Sequence, residues 1–259
     1  MSKLLLIDLS YLIFYKYYAL ISWSKLTDTD LTDLSIFKTK LYRNVEISIL
    51  GLKKKYCADT VILAKDTPNQ RGWRKELFGG YKSNRAHNDD NMCEVFTYIY
   101  TVAVPQISEE YDFNIVSVEG VEADDVIATA VKRLYDQYDI TIVTNDHDFL
   151  QLINKYENLK IYNLQAKEIK QKYTDIELKH FTMWKVIKGD KSDAIPAIDK
   201  KVGAKTAIKL ALNQDLLQAR LSNPEVRQQF ELNKKLMDFD CIPKDMAEMI
   251  EAKLKAIYL

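Results

Sequence analysis

Residues Ile140–Asp146 read ITIVTND, an apolar run that ends in an acid, and the pattern recurs along the chain. It returns in KLLLID (Lys3–Asp8) and TVILAKD (Thr60–Asp66), while NIVSV (Asn114–Val118) and the weaker Lys160–Tyr162 are further apolar runs. Short continuous runs of Val, Ile and Leu are typical of strands that are buried on both faces of a parallel sheet. These five runs therefore predict a mostly parallel sheet.

Helical patterns lie between the runs. Apolar residues recur at helical spacing in Ile36–Tyr56, and the patterns of Asn91–Tyr111 and Asp124–Tyr138 also predict helices. Alternation of strand and helix predicts a three-layer α/β fold, in which helices flank a mostly parallel sheet. Ligands of such folds gather at the carboxyl ends of the strands, so the acids that end three of the runs should lie together on one edge.

The chain changes character at about residue 165, beyond which it is helical and rich in Lys and Gln. We therefore expect an α/β domain over residues 1–175 and a C-terminal helical subdomain over residues 176–259. Within the first domain, residues 65–92 are polar and lack strand runs. They predict a long loop or a partly helical excursion, and long loops in compact domains are usually functional or disordered.

The composition limits the classes of protein to which the chain can belong. Of 259 residues, 47% are hydrophobic, enough for a sizeable core, and 37 basic residues balance 37 acidic ones, unlike a protein that only coats nucleic acid. The three cysteines lie far apart, which favours neither a disulfide framework nor a zinc site. Because there is no signal peptide and no apolar stretch of roughly 20 residues, we expect a soluble protein in a reducing compartment, with no membrane partner.

Acidic residues form the most informative pattern in the sequence. Glu122 and Asp125 in VEADDV are three residues apart and share a helix face, NDHD follows the Ile140 run, and GDKSD (189–193) again places two acids three apart. The candidate metal ligands are the nine acids Asp8, Asp66, Glu122, Asp124, Asp125, Asp146, Asp148, Asp190 and Asp193.

A cluster of carboxylates raises its own pKa values unless cations neutralise it. Oxygen ligands suit Mg²⁺ or Mn²⁺, and two such ions about 4 Å apart can activate a water and stabilise the leaving oxygen in phosphodiester hydrolysis. The alternative is that acids at helix N-termini only cap the helices. Capping can account for Asp124 or Asp190 alone but not for acids at three strand ends as well, so the set favours a two-metal phosphodiesterase.

A basic segment surrounds and follows Asp66, the acid that ends the run Thr60–Asp66. Residues 65–85 carry a net charge of +4, whereas residues 119–148 carry −6. Basic side chains beside a metal site suit phosphate binding, although a solvated surface loop has the same composition. Trp73 and Phe78 are expected to pack in the core, and Tyr81 is a candidate for stacking on an unpaired base. The candidate DNA-binding residues here are Arg71, Arg74, Lys75, Tyr81, Lys82 and Arg85.

Five segments of the sequence match, in order, the motifs of a known protein family. They read LLIDLSYLIF (5–14), WRKELFGGYKSNR (73–85), VEGVEADDVIATAV (118–131), IVTNDHDFLQL (142–152) and GDKSDAIPAI (189–198). The chain thereby resembles the flap endonuclease/5′-3′ exonuclease family, which includes bacteriophage members and the N-terminal nuclease of bacterial DNA polymerase I. Each motif is short, but their order and spacing across nearly the whole chain are specific.

The resemblance implies a role for each matching residue. The nine acids match the metal ligands of this PIN-like fold, with Asp146 among the catalytic groups. Lys82 and Arg85 match basic residues that contact the scissile phosphate at the foot of a helical arch, and Tyr81 is similar to an aromatic residue that packs on the terminal base. Residues 67–110 would form the arch, through which a 5′ single strand passes. The products would carry a 5′-phosphate and a 3′-hydroxyl.

The resemblance also implies a helix-hairpin-helix-like element within residues 189–210, which grips duplex phosphates and often binds a monovalent cation such as K⁺. In this sequence Ala197 and Lys201 stand where glycines are usual. Glycines there let backbone amides approach phosphate, so their loss argues against the K⁺ site, and the added lysines are expected to compensate electrostatically. The candidate DNA-binding residues of the element are Lys200, Lys201, Gly203, Lys205 and Thr206.

The expected function is a structure-specific 5′ nuclease, both flap endonuclease and 5′-3′ exonuclease, acting as a monomer in replication or repair. Its partners would be DNA with 5′ flaps, nicks or free 5′ ends, and RNA–DNA hybrid. Alternatives are an RNA-primer-removing or PIN-type ribonuclease and a non-catalytic branched-DNA binding module. A nucleotide-binding protein is set aside because GxxxxGK[ST] and GxGxxG loops are absent. With no polymerase domain before Leu259, we expect a free-standing enzyme of phage or viral type, in the cytoplasm or at replication sites.

Overall fold

The computed structural model of the chain describes residues 1–67, 72–85, 90–156 and 158–258. Its centre is a five-stranded sheet with the order β3-β2-β1-β4-β5, in which all neighbouring strands are parallel. The five predicted strands are therefore confirmed. They are β1 (Ser2–Asp8), β2 (Thr60–Ala64), β3 (Asn114–Val116), β4 (Tyr138–Val143) and β5 (Leu159–Tyr162).

Strand β1 lies at the middle of the sheet and is buried on both faces. Leu4 and Leu6 belong to the hydrophobic core on one face, and Leu5 and Ile7 belong to the core on the other, as the alternation of side chains along a strand requires. The register pairs Ile7 with Val143 of β4, and the end of β1 with the end of β2. The segments that follow these three strands therefore leave the sheet at one edge.

Helices cover both faces of the sheet and form the C-terminal part of the chain. A short π-helical segment, Ile99–Ala103, joins two of them, α4 and α5, into one continuous helical stretch. The α-helices are α1 (Leu9–Thr27), α2 (Leu34–Tyr56), α3 (Trp73–Leu77), α4 (Asp90–Tyr98), α5 (Val104–Tyr111), α6 (Ala123–Leu134), α7 (Leu150–Ile153), α8 (Asp175–Lys179), α9 (Phe181–Lys188), α10 (Ala204–Leu212), α11 (Gln214–Leu221), α12 (Pro224–Met237) and α13 (Lys244–Tyr258).

The two faces of the sheet carry different helices. Helices α1, α2, α4 and α5 supply the core on one face, and α6, α7 and α13 supply the core on the other. Three-layer packing of this kind confirms the predicted fold class. None of the described helices is both long and apolar enough to cross a membrane.

The C-terminal helices pack in two ways. Helices α9 to α12 form a hydrophobic cluster of their own, which includes Ile187, Leu210, Leu217 and Phe230. Helix α13 instead returns to the sheet, where Ile250 and Leu254 join the core around α6. A helical subdomain after the α/β domain stays a prediction, and its last helix packs with the sheet.

Three local expectations differ from the structure. The helix predicted to reach Tyr138 ends at Leu134, because β4 begins at Tyr138. Helix α1 was not predicted, since its sequence is apolar all round and lacks a polar stripe.

The third difference concerns residues 90–110 of the predicted arch. The apolar side chains of Met92, Val95, Phe96 and Ile99 are buried in the core shared with α2, so this part of the segment is a core helix rather than a free arch. Residues 68–71 and 86–89 of the predicted arch, Arg71 among them, lie outside the described residues.

Candidate metal and nucleic-acid site

The end of β1 anchors the site at the middle of the sheet edge. Asp8 is the N-cap of α1 and accepts a hydrogen bond from the Tyr11 amide at 3.0 Å. Its other carboxylate oxygen accepts a hydrogen bond from the Thr144 hydroxyl at 2.9 Å, just beyond β4. Two neighbouring strand ends therefore fix the direction of this carboxylate.

Beyond β4 the chain makes a 3₁₀ turn that presents two acids. The Asp146 amide donates to the Thr144 hydroxyl oxygen at 3.0 Å, and the Asp146 carboxylate accepts from the Asp148 amide at 2.8 Å. His147, between them, shares a short hydrogen bond with the Tyr173 hydroxyl. Asp146 therefore caps the turn, and it does so through one carboxylate oxygen, Oδ1.

The VEADDV motif begins α6. Glu122 is the N-cap, and the amide of Glu122 donates to the Asp125 carboxylate at 3.4 Å, which completes a capping box. Asp66, after β2, accepts hydrogen bonds from the Ala123 amide at 2.8 Å and from the Ser10 hydroxyl. The ends of β1 and β2 and the start of α6 therefore meet at one place.

The last pair of acids lies on a tight turn after α9. Asp190 and Ile195 pair their backbones, with N–O distances of 2.9 and 2.8 Å, so the chain reverses between them and carries Asp193. Gly189 precedes the turn with φ of +71°, and a Cβ there would lie 2.4 Å from the Pro196 carbonyl oxygen. This position therefore requires glycine.

One small cleft collects acids from three of these elements, the start of α6, the turn after β4 and the turn after α9. Its lining combines the start of α6, the turn after β4 and the turn after α9 with the end of α12. The acidic residues that line it are Glu122, Asp124, Asp148, Asp190 and Asp193. The structure thus brings together five of the nine predicted ligands, although they lie as far apart in the sequence as residues 122 and 193.

Two further acids, Asp8 and Asp146, lie at the same edge and interact electrostatically with acids of the cleft. Desolvation and the charge of Asp66 raise the pKa of Asp8 to about 6. Although Asp146 is exposed at the surface, desolvation of its carboxylate together with the Asp148 charge raises its pKa to about 7. Burial, followed by the charges of Asp146 and Asp8, raises the pKa of Asp124 well above its ordinary value. These carboxylates therefore repel one another and lack sufficient positive charge.

The residues fit divalent cations, although rotations of side chains are needed to bind them. Among the described residues, no three potential ligands are close enough to chelate one ion as they stand. One oxygen of Asp148 is nevertheless buried without a hydrogen-bond partner in this part of the chain. Carboxylate oxygens at an edge that is short of positive charge are the ligands that Mg²⁺ and Mn²⁺ prefer.

Basic side chains form ion pairs with several of the acids. The Lys82 ammonium contacts Glu122, the Arg85 guanidinium lies 2.8 Å from Asp193, and Lys82 also donates its backbone N–H to the Asp193 carbonyl at 2.8 Å. Burial acts to raise the pKa of Glu122, but Lys82 and Arg74 lower it. The predicted phosphate-binding residues therefore lie directly against the predicted metal ligands.

Asp125 and Arg74 have a different role from the one predicted. Asp125 is completely buried, and both its oxygens accept from Arg74, at 2.6 and 2.8 Å, while Trp73 donates its indole N–H at 2.9 Å. As placed here, Asp125 is the partner of a buried arginine rather than a metal ligand. Arg74 is only 4% exposed, so it is a structural cation rather than a DNA contact.

Tyr81 is also more deeply buried than expected. The residue is 6% exposed, and its hydroxyl donates to Glu122 at 2.9 Å. In this arrangement its ring offers no free face for a terminal base, which corrects the stacking prediction. Trp73 is buried as predicted, and Phe78 packs against the cluster around Tyr81. Lys75 donates to the Tyr81 carbonyl at 3.0 Å and so holds the same turn.

The hairpin element joins α9 to α10. Gly203 is the exposed N-cap of α10, so Lys205 and Thr206 lie in the first turn of that helix. Backbone amides at a helix N-terminus are suited to phosphate. Lys200, Lys201 and Lys205 are all exposed beside it. A Cβ on Gly203 would meet nothing within 4 Å, so the helix start is open to a ligand.

Sequence reasoning missed Lys185, in the last turn of α9. Its ammonium lies 2.7 Å from Asp148 and also contacts Asp190. Although burial of the carboxyl acts in the other direction, hydrogen bonds from Lys185 and Ser192 lower the pKa of Asp190 to about 2. The only signal in the sequence is a lysine five residues before the GDKSD acid, and that spacing alone is weak.

The same parallel α/β fold is found in solved structures of 5′ nucleases. The structure of bacteriophage T5 flap endonuclease in a pseudo-enzyme-product complex with DNA and metal ions shares the fold, with a TM-score of 0.72 and 19% identity over 99% of this chain and 98% of that one. T5 5′-exonuclease with bound zinc is similar, at a TM-score of 0.70, 20% identity and coverage of 99% and 100%.

The family model described as 5′-3′ exonuclease, N-terminal resolvase-like domain, matches residues 3–181, and the chain belongs to this family. A 5′-3′ exonuclease of Buchnera aphidicola subsp. Schizaphis graminum is 31% identical over 61% of this chain and 54% of its own length. DNA polymerase I of Streptococcus pneumoniae serotype 4 is 29% identical over 86% of this chain and 25% of its own length. The match thus spans about half of the first relative and a quarter of the second.

Proposed function

We propose that the chain is a metal-dependent 5′ nuclease that cleaves DNA near 5′ flaps, nicks and free 5′ ends. The observation that carries the proposal is the cleft in which Glu122, Asp124, Asp148, Asp190 and Asp193 meet at the carboxyl edge of the sheet. Membership of the 5′-3′ exonuclease family supports the reaction, and the fold shared with a nuclease solved with DNA and metal ions supports the substrate class.

Two groups of acids would hold the ions, Mg²⁺ in the proposed enzyme. The charges of Asp146 and Asp8 are close enough to raise the pKa of Asp124, and Asp148, Asp190 and Asp193 line the cleft beside them. Divalent ions at such a site make water a better nucleophile and stabilise the leaving oxygen of a phosphodiester. The chain's own part is to position these carboxylates, through the caps of α1, α6 and the 3₁₀ turn.

Lys82 and Arg85 would bind the phosphate that is cleaved. Both cations now pair with acids of the cleft, so a phosphate there would meet preorganised positive charge. The Lys82 side chain is 18% exposed and that of Arg85 is 58% exposed. Arg85 is therefore the better placed of the two to meet incoming DNA first.

The duplex part of the substrate would dock on the hairpin element. Residues 1–175 would carry the chemistry and residues 176–259 the helical subdomain, in which the open N-terminus of α10 faces the phosphates. A single chain suffices for the site, which is consistent with a monomer.

The test of the proposed function is cleavage of an internally labelled 5′-flap DNA with Mg²⁺ and with EDTA. Single-stranded DNA and a nicked RNA–DNA hybrid of the same sequence are the matched comparisons. We expect cuts near the flap junction that require Mg²⁺ and leave a 5′-phosphate and a 3′-hydroxyl. Preference for the hybrid would instead indicate a primer-removing ribonuclease, and tight binding without any cleavage would contradict an enzyme.

Changing Lys200 and Lys201 together to Ala is expected to weaken duplex binding at low salt and to make the binding less sensitive to salt. Each lost phosphate contact lowers the slope of log affinity against log salt by about 0.9, so the slope should fall by about 1.8. Salt titrations with fluorescently labelled duplex measure it. The control changes Lys253 and Lys255 on α13, which packs against α6, and should leave the slope unchanged. An unchanged slope in the Lys200 and Lys201 variant would exclude compensation for the missing glycines.

A further inference from the structure

The Lys185 ammonium lies between two acids of the candidate metal site. Its Nζ is 2.7 Å from Asp148 Oδ1 and also contacts the Asp190 carboxylate. The lysine side chain is only 13% exposed, so its charge is largely removed from water. One ammonium therefore faces two carboxylates, so Lys185, Asp148 and Asp190 together carry a net charge of about −1 when all three are ionised.

The ion pair with Asp148 is incomplete as a hydrogen bond. Asp148 Oδ1 is buried, and the ammonium lies within ion-pair distance of it without a well-directed hydrogen bond. The one positive charge that balances this oxygen is shared with Asp190. A small cation of higher charge, bound between the two acids, would satisfy it better than the ammonium does.

Lys185 is not needed to position either acid. The Asp190 carboxylate accepts a hydrogen bond from the Ser192 amide at 2.7 Å, and the Asp190 backbone pairs with that of Ile195. The backbone of Asp148 is fixed because its N–H donates a hydrogen bond to the Asp146 carboxylate. The backbone of Lys185 is also fixed, because its carbonyl accepts the Gly189 N–H at 2.8 Å. Only the flexible side chain has to move if the ammonium leaves.

We propose that Lys185 is a built-in counter-ion that occupies the place of a divalent cation between Asp148 and Asp190, so that metal binding there is an exchange of ammonium for metal. The proposal rests on the metal site of the proposed function but not on nuclease activity. The affinity of Asp148 and Asp190 for a metal ion then depends on the free energy needed to displace the Lys185 ammonium. The exchange involves no covalent step, because only coordination bonds and ion pairs form and break.

The unmodified chain provides the first test. Lysines are acetylated with a water-soluble reagent, with and without saturating Ca²⁺, and each site is quantified by mass spectrometry. The internal control is Lys253, an exposed lysine on α13, outside the acidic cleft. We expect acetylation of Lys185 to rise several-fold with Ca²⁺ while that of Lys253 stays constant. Unchanged or reduced labelling of Lys185 at saturating metal would overturn the exchange.

A variant gives the second test. Lys185→Met removes the competing charge but keeps the length of the side chain, so Mn²⁺ affinity measured by calorimetry should rise about tenfold. Lys253→Met on α13 should leave the affinity unchanged. If Lys185 instead orients the acids for metal, Lys185→Met would weaken Mn²⁺ binding, and the proposal would be wrong. Failure of the parent chain to bind Mn²⁺ at all would contradict the proposed function itself, which keeps the two results distinguishable.

Discussion

Replacing Asp146 by Asn is expected to lower the rate of DNA cleavage by about a thousandfold or more, with DNA affinity nearly unchanged. Asn keeps an oxygen that can accept the Asp148 N–H, so the turn after β4 should survive. What is lost is a negative charge at an edge where desolvation and Asp148 already raise the pKa of Asp146 to about 7. Removing that charge relieves repulsion in the metal-free chain, so the fold should not be weakened.

The measurement is single-turnover cleavage of a 5′-flap DNA under saturating enzyme, with affinity measured separately in Ca²⁺. Asp139→Asn is the matched control, because Asp139 lies near the amino end of β4, away from the turn that carries Asp146, and pairs with Lys160 at 3.6 Å. The control should cleave at the parent rate. Full activity of the Asp146 variant would refute a catalytic role for this carboxylate.

Replacing Arg74 by Met is expected to have the largest effect on stability, a loss of about 3 to 5 kcal/mol in the free energy of unfolding. Arg74 is buried, pairs with both oxygens of Asp125 and with Glu122, and donates to the Leu236 carbonyl at 2.8 Å. Its removal leaves the fully buried Asp125 charge without its main partner. The variant should also loosen α12, which carries Leu236, from the base of the basic segment.

Urea unfolding with EDTA present measures the effect. The control is Arg133→Met, because Arg133 pairs with Glu251 at the surface and is 58% exposed, and such pairs contribute about 1 kcal/mol or less. Adding Asp125→Asn to the Arg74 variant should recover a large share of the loss, since the unpaired charge is then gone. A loss in the Arg74 variant no greater than in the control would mean that the buried network contributes little.

The parallel sheet was predictable from the sequence because each strand is a short apolar run, and β1 shows why. Its residues are buried on both faces, so no alternation is needed to recognise it. Asp8, Asp66 and Asp146 became candidates because each ends one of these runs, whereas the other acids followed from their spacing in VEADDV, NDHD and GDKSD. Chain order alone therefore located the edge of the sheet where they meet.

The roles of individual acids could not be predicted, and Asp124 and Asp125 show why. Neighbouring residues on a helix point about 100° apart, so Asp124 lines the cleft while Asp125 points into the protein. Which of the two faces the cleft depends on Arg74, which lies 51 residues away and reaches Asp125 only in the folded chain. The burial of Tyr81 and the contact of Lys185 with Asp148 likewise depend on tertiary packing.

The central claim is that the acids at the carboxyl edge of the sheet form a metal centre. Anomalous diffraction from crystals soaked in Mn²⁺ tests it most directly, because it locates the ions without reference to activity. The account predicts peaks within coordination distance, about 2 Å, of Asp146 and of Asp148 or Asp190, with the Lys185 ammonium displaced from between the last two. Mn²⁺ bound only elsewhere, with Lys185 still between Asp148 and Asp190, would contradict it.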